Sequence, residues 1–315
     1  MRAKYGFELV DPTAGPADTG RRDAFVRRAT PASLRSHTKG AEQYEPDPPL
    51  VTAINTALAV GAPLLLTGEP GTGKTQVAYY LGHYFGVPGH VYPLFVRSTT
   101  TASDLEYTFD AVAYFRHDPG RDGDKARGDF VEPGPLWKAY ETDGPAVVLL
   151  DEIDKAPRDF PNDILNVIDQ NKFRVREKEV DDDPDEFWVE LEGDRAPPFV
   201  VVTSNSERRL PEPFLRRCVF HHIEFTDDLI ERAVAAHKQG AFPDLGDDVR
   251  KAALARFTEL RGRGLTKKPA TAELLVWLAV LAARGVKARE LEGAALKDLP
   301  ALGTLLKNRD DLKSL

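Results

Sequence analysis

Apolar positions along the chain fall into two regimes. Up to about residue 225, short continuous apolar runs alternate with stretches whose apolar residues recur at helical spacing. Pro63-Leu64-Leu65-Leu66-Thr67, residues 91–96, Ala146-Val147-Val148-Leu149-Leu150 and Phe199-Val200-Val201-Val202 are such runs. Each has the length and bounding turn signals of a strand covered on both faces. A fifth strand is expected over 219–225. Lys172-Phe173-Arg174-Val175-Arg176 alternates polar with apolar, which predicts a strand leading to an exposed hairpin tip in the acidic run 181–186. Helices are predicted at 50–60, with Pro46, Pro48 and Pro49 stopping helix formation before Leu50, at 75–85, from Gly134-Pro135-Leu136-Trp137, and at 159–170, where Ile164, Leu165 and Ile168 share one side. Ser103-Asp104-Leu105 suits a helix cap.

From Thr226 onward only helical spacing remains, over 227–238, 247–261 and 271–284. The expected organisation is therefore an irregular arm (1–45), an α/β core (46–225) and a small helical domain (226–315). Arg21, Arg22, Arg27, Arg28 and Arg35 make the arm locally basic. It reads as a solvated segment draped on the body, with a partner-docking arm as the competing view.

Composition narrows the class. The 315 residues are 42% hydrophobic and 29% charged, the profile of a globular chain large enough for one large or two modest domains. A formal charge of -8 argues against a general nucleic-acid coat. Cys218 is the only cysteine, so neither an intrachain disulfide nor a cysteine-rich metal cluster is available, and Cys218 itself reads as a small packing residue. His221 and His222 are adjacent on an expected strand and point to opposite faces, which keeps them from sharing a metal. The acidic loop around Asp118, Asp122 and Asp124 departs from helix-loop-helix calcium spacing. The first residues lack a secretory apolar run, the longest apolar segment (274–283) is too short to span a bilayer, and the C-terminal Lys313-Ser314-Leu315 has the wrong order for a peroxisomal address. A cytoplasmic protein is expected.

The chemistry concentrates in Gly68-Glu69-Pro70-Gly71-Thr72-Gly73-Lys74-Thr75. Glycines at the first and sixth positions followed by Lys and Thr fit a phosphate-binding loop, and the context is the required one, an apolar strand before and a helix start, with Gln76, after. Glycines allow backbone N–H groups to converge on phosphate oxygens at a helix N-terminus. Lys74 then reaches the β and γ phosphates of ATP, and the Thr75 hydroxyl ligates Mg²⁺. About 75 residues on, Asp151 and Glu152 emerge from the carboxyl end of an apolar strand, where open α/β sheets bind ligands. Asp151 is placed to hold the metal through water, Glu152 to orient an attacking water. Asn205 ends another buried strand and can both donate and accept hydrogen bonds, as sensing a γ-phosphate requires.

Together, residues 68–75, Leu149-Leu150-Asp151-Glu152, Asn205 and the Arg216-Arg217 pair resemble the AAA+ ATPases. Residues 44–66, Gly134-Pro135-Leu136 and residues 203–211 look more narrowly like the MoxR branch, and the likeness spans roughly residues 44–285. The resemblance implies a parallel five-stranded sheet of order 5-1-4-3-2 sandwiched by helices, a helical lid, and a homo-oligomeric ring, usually hexameric, with ATP at subunit interfaces. By position Asn205 matches the first sensor, and Arg217, directly before the last strand, best matches the arginine finger, with Arg216 as the other choice. Such an arginine acts on the neighbour's nucleotide and is worth roughly 10³–10⁵ in turnover. The family often places a sensor arginine where this chain has Lys267-Lys268-Pro269-Ala270-Thr271; Lys268 can substitute as a point charge but without arginine's bidentate fork.

The leading function so implied is an ATP-driven remodeller of a client protein complex, with a von Willebrand factor A domain protein as partner. A nucleic-acid motor competes through Lys172, Arg174 and Arg176 on the expected hairpin, against the acidic net charge. A non-hydrolysing nucleotide switch competes less well, since Lys74 and Glu152 are both present.

Overall fold

The computed structural model describes residues 34, 36–118, 124–178, 186–193, 195–205 and 210–315. Most of the expected arm with its arginines, the turn at 119–123, residues 181–185 of the acidic run and residues 206–209 lie outside the described residues. Chain contacts separate two compact units: Pro46–Glu69 with Lys74–Glu224, and the chain to Glu45 with Pro70–Gly73 and Phe225–Leu315.

Among its described residues the first unit carries nine strands, β1 (Leu64–Gly68), β2 (Val91–Phe95), β3 (Tyr107–Phe109), β4 (Val131–Pro133), β5 (Val147–Asp151), β6 (Lys172–Arg174), β7 (Trp188–Glu190), β8 (Phe199–Ser204) and β9 (Val219–Ile223). Five of them form one sheet in the order β2-β5-β8-β1-β9, every pair parallel. Counted along the chain, that is 5-1-4-3-2. The continuous apolar runs are explained by this order. All of β1 and β5 is buried, and β8 is buried from Val200 to Ser204, because these strands are central and covered on both faces. The expectation that β2 is equally buried needs correction: it lies at the sheet edge, and Phe95 at its end is 54% exposed. Composition is blind to edge position, since an edge strand needs only one neighbour.

Two small antiparallel ladders flank the sheet. Lys172, Phe173 and Arg174 pair with Glu190, Val189 and Trp188, so the alternation does mark a hairpin, with Phe173 and Val189 turned inward. Its strands are shorter than the alternation suggested, because Arg176 already belongs to a 3-10 turn (Arg176–Lys178). The basic residues are engaged locally. Lys172 Nζ lies 5.1 Å from the Trp188 ring centroid, and Arg174 donates to Glu186 at 2.5 Å. The other ladder, β3 with β4, has no counterpart in the sequence analysis. Three-residue strands with a long intervening segment are too short to show a period.

A second correction concerns Pro48 and Pro49. They begin the helix Pro48–Val60 instead of preceding it, with the Asp47 carboxylate accepting from Leu50 N at 2.8 Å. Proline suits the first turn of a helix because the N–H it lacks has no partner there. Likewise the expected irregular arm contains a short helix, His37–Ala41, capped by Ser36.

The second unit is helical over its described C-terminal part. Its main helices are Asp227–Ala241, Asp247–Arg261 and Thr271–Arg284, followed by short turns and a last helix, Arg309–Lys313. Val234, Phe257, Leu274, Trp277, Leu278 and Leu281 form the centre of its core, each fully buried. Trp277 also satisfies its indole N–H with Pro300 O at 2.7 Å. Near the C-terminus Asp311, 3% exposed, accepts from Thr266 N at 2.7 Å and Lys267 N at 3.1 Å. These backbone donors, Thr266 foremost, hold its carboxyl below the ordinary value of 3.8. A depressed folded value contributes stability that is present above the unfolded pKa, ~3.9, and lost as pH falls through the folded one. Asp311→Asn is therefore expected to lower Tm at neutral pH, with the gap to the natural protein closing below about pH 4. Thermal melts across the acid range test this, and a gap independent of pH is the contrary result.

Candidate active site

The phosphate-loop sequence leaves β1 at Gly68 and enters the helix Lys74–Tyr84. Gly71 and Gly73 have φ of 79° and 92°, where a side chain is strained, so only glycine takes these two turns of the loop at low cost. Lys74 is the first helical residue and only 6% exposed. Its ammonium donates to Gly68 O and Glu69 O, both at 2.9 Å. Burial lowers its pKa from 10.5, opposed by the charges of Asp151, Asp154 and Glu152. A buried ammonium whose hydrogen bonds go to two backbone carbonyls is suited to charge-assisted bonds with an anion.

Asp151 closes β5 and is 8% exposed. One of its oxygens, Oδ1, accepts two hydroxyl protons, from Thr75 at 2.8 Å and from Thr203 at 2.7 Å. Parallel pairing of β5 with β8, which sets Leu150 beside Val202, brings Thr203 to Asp151. Thr203 Oγ1 also accepts from Glu152 N at 2.9 Å. Glu152 has φ 61° and ψ 51°, a left-handed conformation costing about 1–3 kcal/mol outside glycine. The Thr203 contact secures that turn, which breaks the strand's alternation immediately after Asp151.

The Glu152 carboxylate meets Asn205 Nδ2 at 3.3 Å through Oε1 and the Lys155 ammonium through Oε2. Asn205 is anchored by its own N–H to Asp154 Oδ1 at 2.9 Å. Asp154 is 3% exposed, and its second oxygen has no hydrogen-bond partner in the structure.

The structure thus brings Lys74, Thr75, Asp151, Glu152 and Asn205 into one network with Gly68 and Glu69, in a single unit. Pro70, Gly71, Thr72 and Gly73 link its two halves along the chain, and Gln76 follows in the helix. Arg216 and Arg217 stand apart, exposed after the helix Glu212–Leu215. Arg216 pairs with Glu212 at 3.2 Å and Arg217 with Asp169 at 3.4 Å, so neither touches the network. Lys268 is exposed in the segment before the helix Thr271–Arg284. Beside the arginines, burial pushes the Cys218 thiol up to about 12, which suits packing and not nucleophilic chemistry.

Three members of the network carried no assigned role in the sequence analysis: Thr203, Asp154 and Lys155. Thr203 reads as one more residue of a buried strand, and only strand pairing shows what it faces. Asp154 and Lys155 follow the acidic pair too closely to be told from an ordinary polar turn. Thr203→Val is expected to cost about 1–3 kcal/mol in urea unfolding, the penalty of leaving the part-buried Glu152 N–H unpaired and of removing one of the two donors to Asp151 Oδ1, while Thr203→Ser retains most of the stability. Equal losses in both variants mean that the methyl group, and not the hydroxyl, matters.

The residues fit a nucleoside triphosphate with its magnesium ion. Buried Lys74 beside a glycine loop suits phosphate. The Thr75 hydroxyl and Asp151 carboxylate are hard oxygen donors of the kind Mg²⁺ takes in ones and twos alongside phosphates. Among the described residues no group of three or more His, Cys, Asp or Glu is placed to hold a metal on its own.

A phosphate loop between a buried strand and a helix, an acidic pair on a neighbouring parallel strand and the 5-1-4-3-2 order define an AAA-type P-loop NTPase fold with a helical C-terminal region. In agreement, residues 63–218, just under half of the chain, match the AAA domain (dynein-related subfamily). Those residues therefore form a domain of the AAA kind. No curated protein matches it. Among the described residues no helix is long and apolar enough to cross a membrane.

Proposed function

We propose that this chain is a MoxR-type ATPase that hydrolyses ATP with Mg²⁺ in a homo-oligomeric ring, hexameric by family likeness, and uses the cycle to remodel or mature a client protein complex with a von Willebrand factor A domain partner. The observation that carries the enzymatic part is Asp151 Oδ1, on which the hydroxyls of Thr75 and Thr203 converge within 2.8 Å. It ties the phosphate-loop helix to the strand bearing Glu152. The MoxR assignment draws support from the dynein-related subfamily, to which MoxR ATPases belong. It also draws on Gly134-Pro135-Leu136. A Cβ on Gly134 would come within 2.5 Å of Leu105 O, Pro135 opens the helix Pro135–Glu141, and Leu136 is 1% exposed.

In this mechanism the bound ion screens phosphate charge and the triphosphate supplies the transferable phosphoryl group. Lys74, which donates to Gly68 O and Glu69 O, would instead donate to phosphate oxygens, and Thr75, with Asp151 through water, would hold the metal. Glu152 orients and deprotonates water while Asn205 positions both. Arg217, or Arg216 in its place, acts on a neighbouring subunit's site, and Lys268 supplies a second sensing charge. The ion pair of Arg174 with Glu186 leaves the nucleic-acid motor with less basic surface than its sequence suggested.

Turnover in mixed oligomers tests the ring. Arg217→Ala and Lys74→Ala subunits, each inactive alone, are expected to recover part of the activity when mixed, because one supplies an intact loop and the other an intact arginine. No recovery under conditions where the two co-assemble overturns the action of Arg217 on a neighbouring subunit's site.

A further inference from the structure

The buried carboxylate of Asp311 takes no part in the network around Lys74 and Asp151. It sits in the first turn of the helix Arg309–Lys313, and its two oxygens accept from the backbone N–H groups of Thr266 and Lys267. Those residues belong to the connection 262–270 between the helices Asp247–Arg261 and Thr271–Arg284. The rest of the connection is pinned as well. Leu265 is buried in the helical core, the Arg261 guanidinium lies 3.5 Å from the Phe225 ring centroid and donates to Pro269 O, and Ala270 N donates to Glu273 Oε2 at 3.1 Å. The connection ends against the phosphate loop. A Cβ on Gly71 would lie 2.4 Å from the Ala270 Cβ and 3.4 Å from Thr271 N, so the two segments are packed together where Gly71 holds its left-handed turn.

We infer that Asp311 is a positioning residue for nucleotide binding: by holding Thr266 and Lys267 it keeps Ala270 seated on Gly71, and so keeps the phosphate loop in the conformation that receives phosphate. This rests on the nucleotide binding proposed above. Glycine leaves a left-handed turn as readily as it enters one, because no Cβ restricts it. A loop that has to be ordered when its ligand arrives loses affinity, whereas a loop already ordered does not. Ala270 covers the turn at Gly71, and the pinned segment from Thr266 to Ala270 is short, so slack released at Asp311 reaches the phosphate loop. The helix Arg309–Lys313 thereby acts on the first step of the cycle without touching the ligand.

Equilibrium binding of a non-hydrolysable ATP analogue with Mg²⁺, well below the melting range, reads the coupling without turnover. Asp311→Asn keeps the shape and loses the charge, and is expected to raise Kd about fivefold or more, the lower end of coupling between two sites. In turnover KM for ATP is expected to rise with it, while kcat at saturating ATP stays within about twofold, because Glu152 is untouched. Trp277→Phe loses the bond to Pro300 O elsewhere in the same core and is the control for lost stability; its Kd is expected to keep the natural value. Coupling is reciprocal, so the analogue is expected to slow hydrogen exchange severalfold in peptides spanning residues 262–270 of the natural protein, and Asp311→Asn is expected to lose most of that slowing. The exchange measurement needs no variant, so it decides the matter even where Asp311→Asn does not fold. A Kd unchanged in Asp311→Asn, an equal rise in Trp277→Phe, a fall in kcat in place of a rise in KM, or exchange at 262–270 that ignores the analogue overturns the inference. The expected change in Kd without any Glu152-dependent phosphate release supports the anchor and overturns the proposed hydrolysis instead, and a natural protein that binds no analogue overturns both.

Discussion

Glu152→Gln is expected to bind ATP with undiminished affinity and to release phosphate about 10²–10⁴-fold more slowly than the natural protein, the range that removal of a positioned general base spans. The amide keeps the shape of the carboxylate and can still accept from Asn205 Nδ2 through its oxygen. It loses the capacity to take a proton, and it loses the ion pair with Lys155. An exposed pair contributes ~0–1 kcal/mol, so the fold survives the change and the defect lies in chemistry. Phosphate release under single turnover, beside equilibrium ATP binding, separates the two terms. Equal loss of binding and turnover would assign Glu152 a structural duty. Stalled in the ATP state, the same variant is expected to retain its client in a pull-down where Lys74→Met does not.

Lys74→Met is expected to weaken nucleotide binding by orders of magnitude while leaving the nucleotide-free protein as stable as before, or more so. Lys74 is buried, and desolvation is the largest influence on its pKa, lowering it despite three nearby carboxylates. Keeping that ammonium charged inside the protein therefore costs stability, and the unfolded state binds its proton more readily than the native one. Between the lowered value and 10.5 the natural protein should gain stability as pH rises, and Lys74→Met should lack that dependence. Methionine is close in length and needs no partner. The loss in affinity has a different origin: charge-assisted hydrogen bonds of ~1.5–3 kcal/mol each, two of them to phosphate, correspond to roughly 10²–10⁴-fold. Calorimetric binding of a non-hydrolysable ATP analogue and urea unfolding of the nucleotide-free protein measure the two effects. A large fall in stability without nucleotide would show that Gly68 O and Glu69 O depend on the lysine.

The two variants also mark which parts of the site a linear reading reaches. The loop from Gly68 to Thr75 is legible because its function depends on local chain geometry. Glycines at fixed offsets, a strand before and a helix after are all properties of neighbours in sequence. Asp151 and Glu152 are legible for a related reason, since an apolar strand ending in carboxylates delivers them to the sheet's carboxyl edge whatever the rest of the chain does. The helices at 247–261 and 271–284 follow from apolar spacing alone and coincide with the observed Asp247–Arg261 and Thr271–Arg284.

Elsewhere the same signals mislead or fall silent. Pro48 and Pro49 mark a boundary, but the carboxylate of Asp47 decides that the helix begins with them. The run 91–96 is apolar, yet its exposure depends on which strands lie beside it, and β2 has a neighbour on one side only.

The amino-acid order by itself determined which residues make up the candidate site, because a glycine-rich loop and a strand-end acidic pair are local constructions that need only near neighbours. The tertiary structure alone decided how that chemistry is held. The β5–β8 register places Thr203 between Asp151 and the Glu152 amide, and a left-handed turn hands Glu152 to Asn205 and Lys155. The contacts with Thr203 and Asn205 join Asp151 and Glu152 to residues 51 to 53 positions away, and no periodicity reports a pairing that exists only once the strands lie side by side.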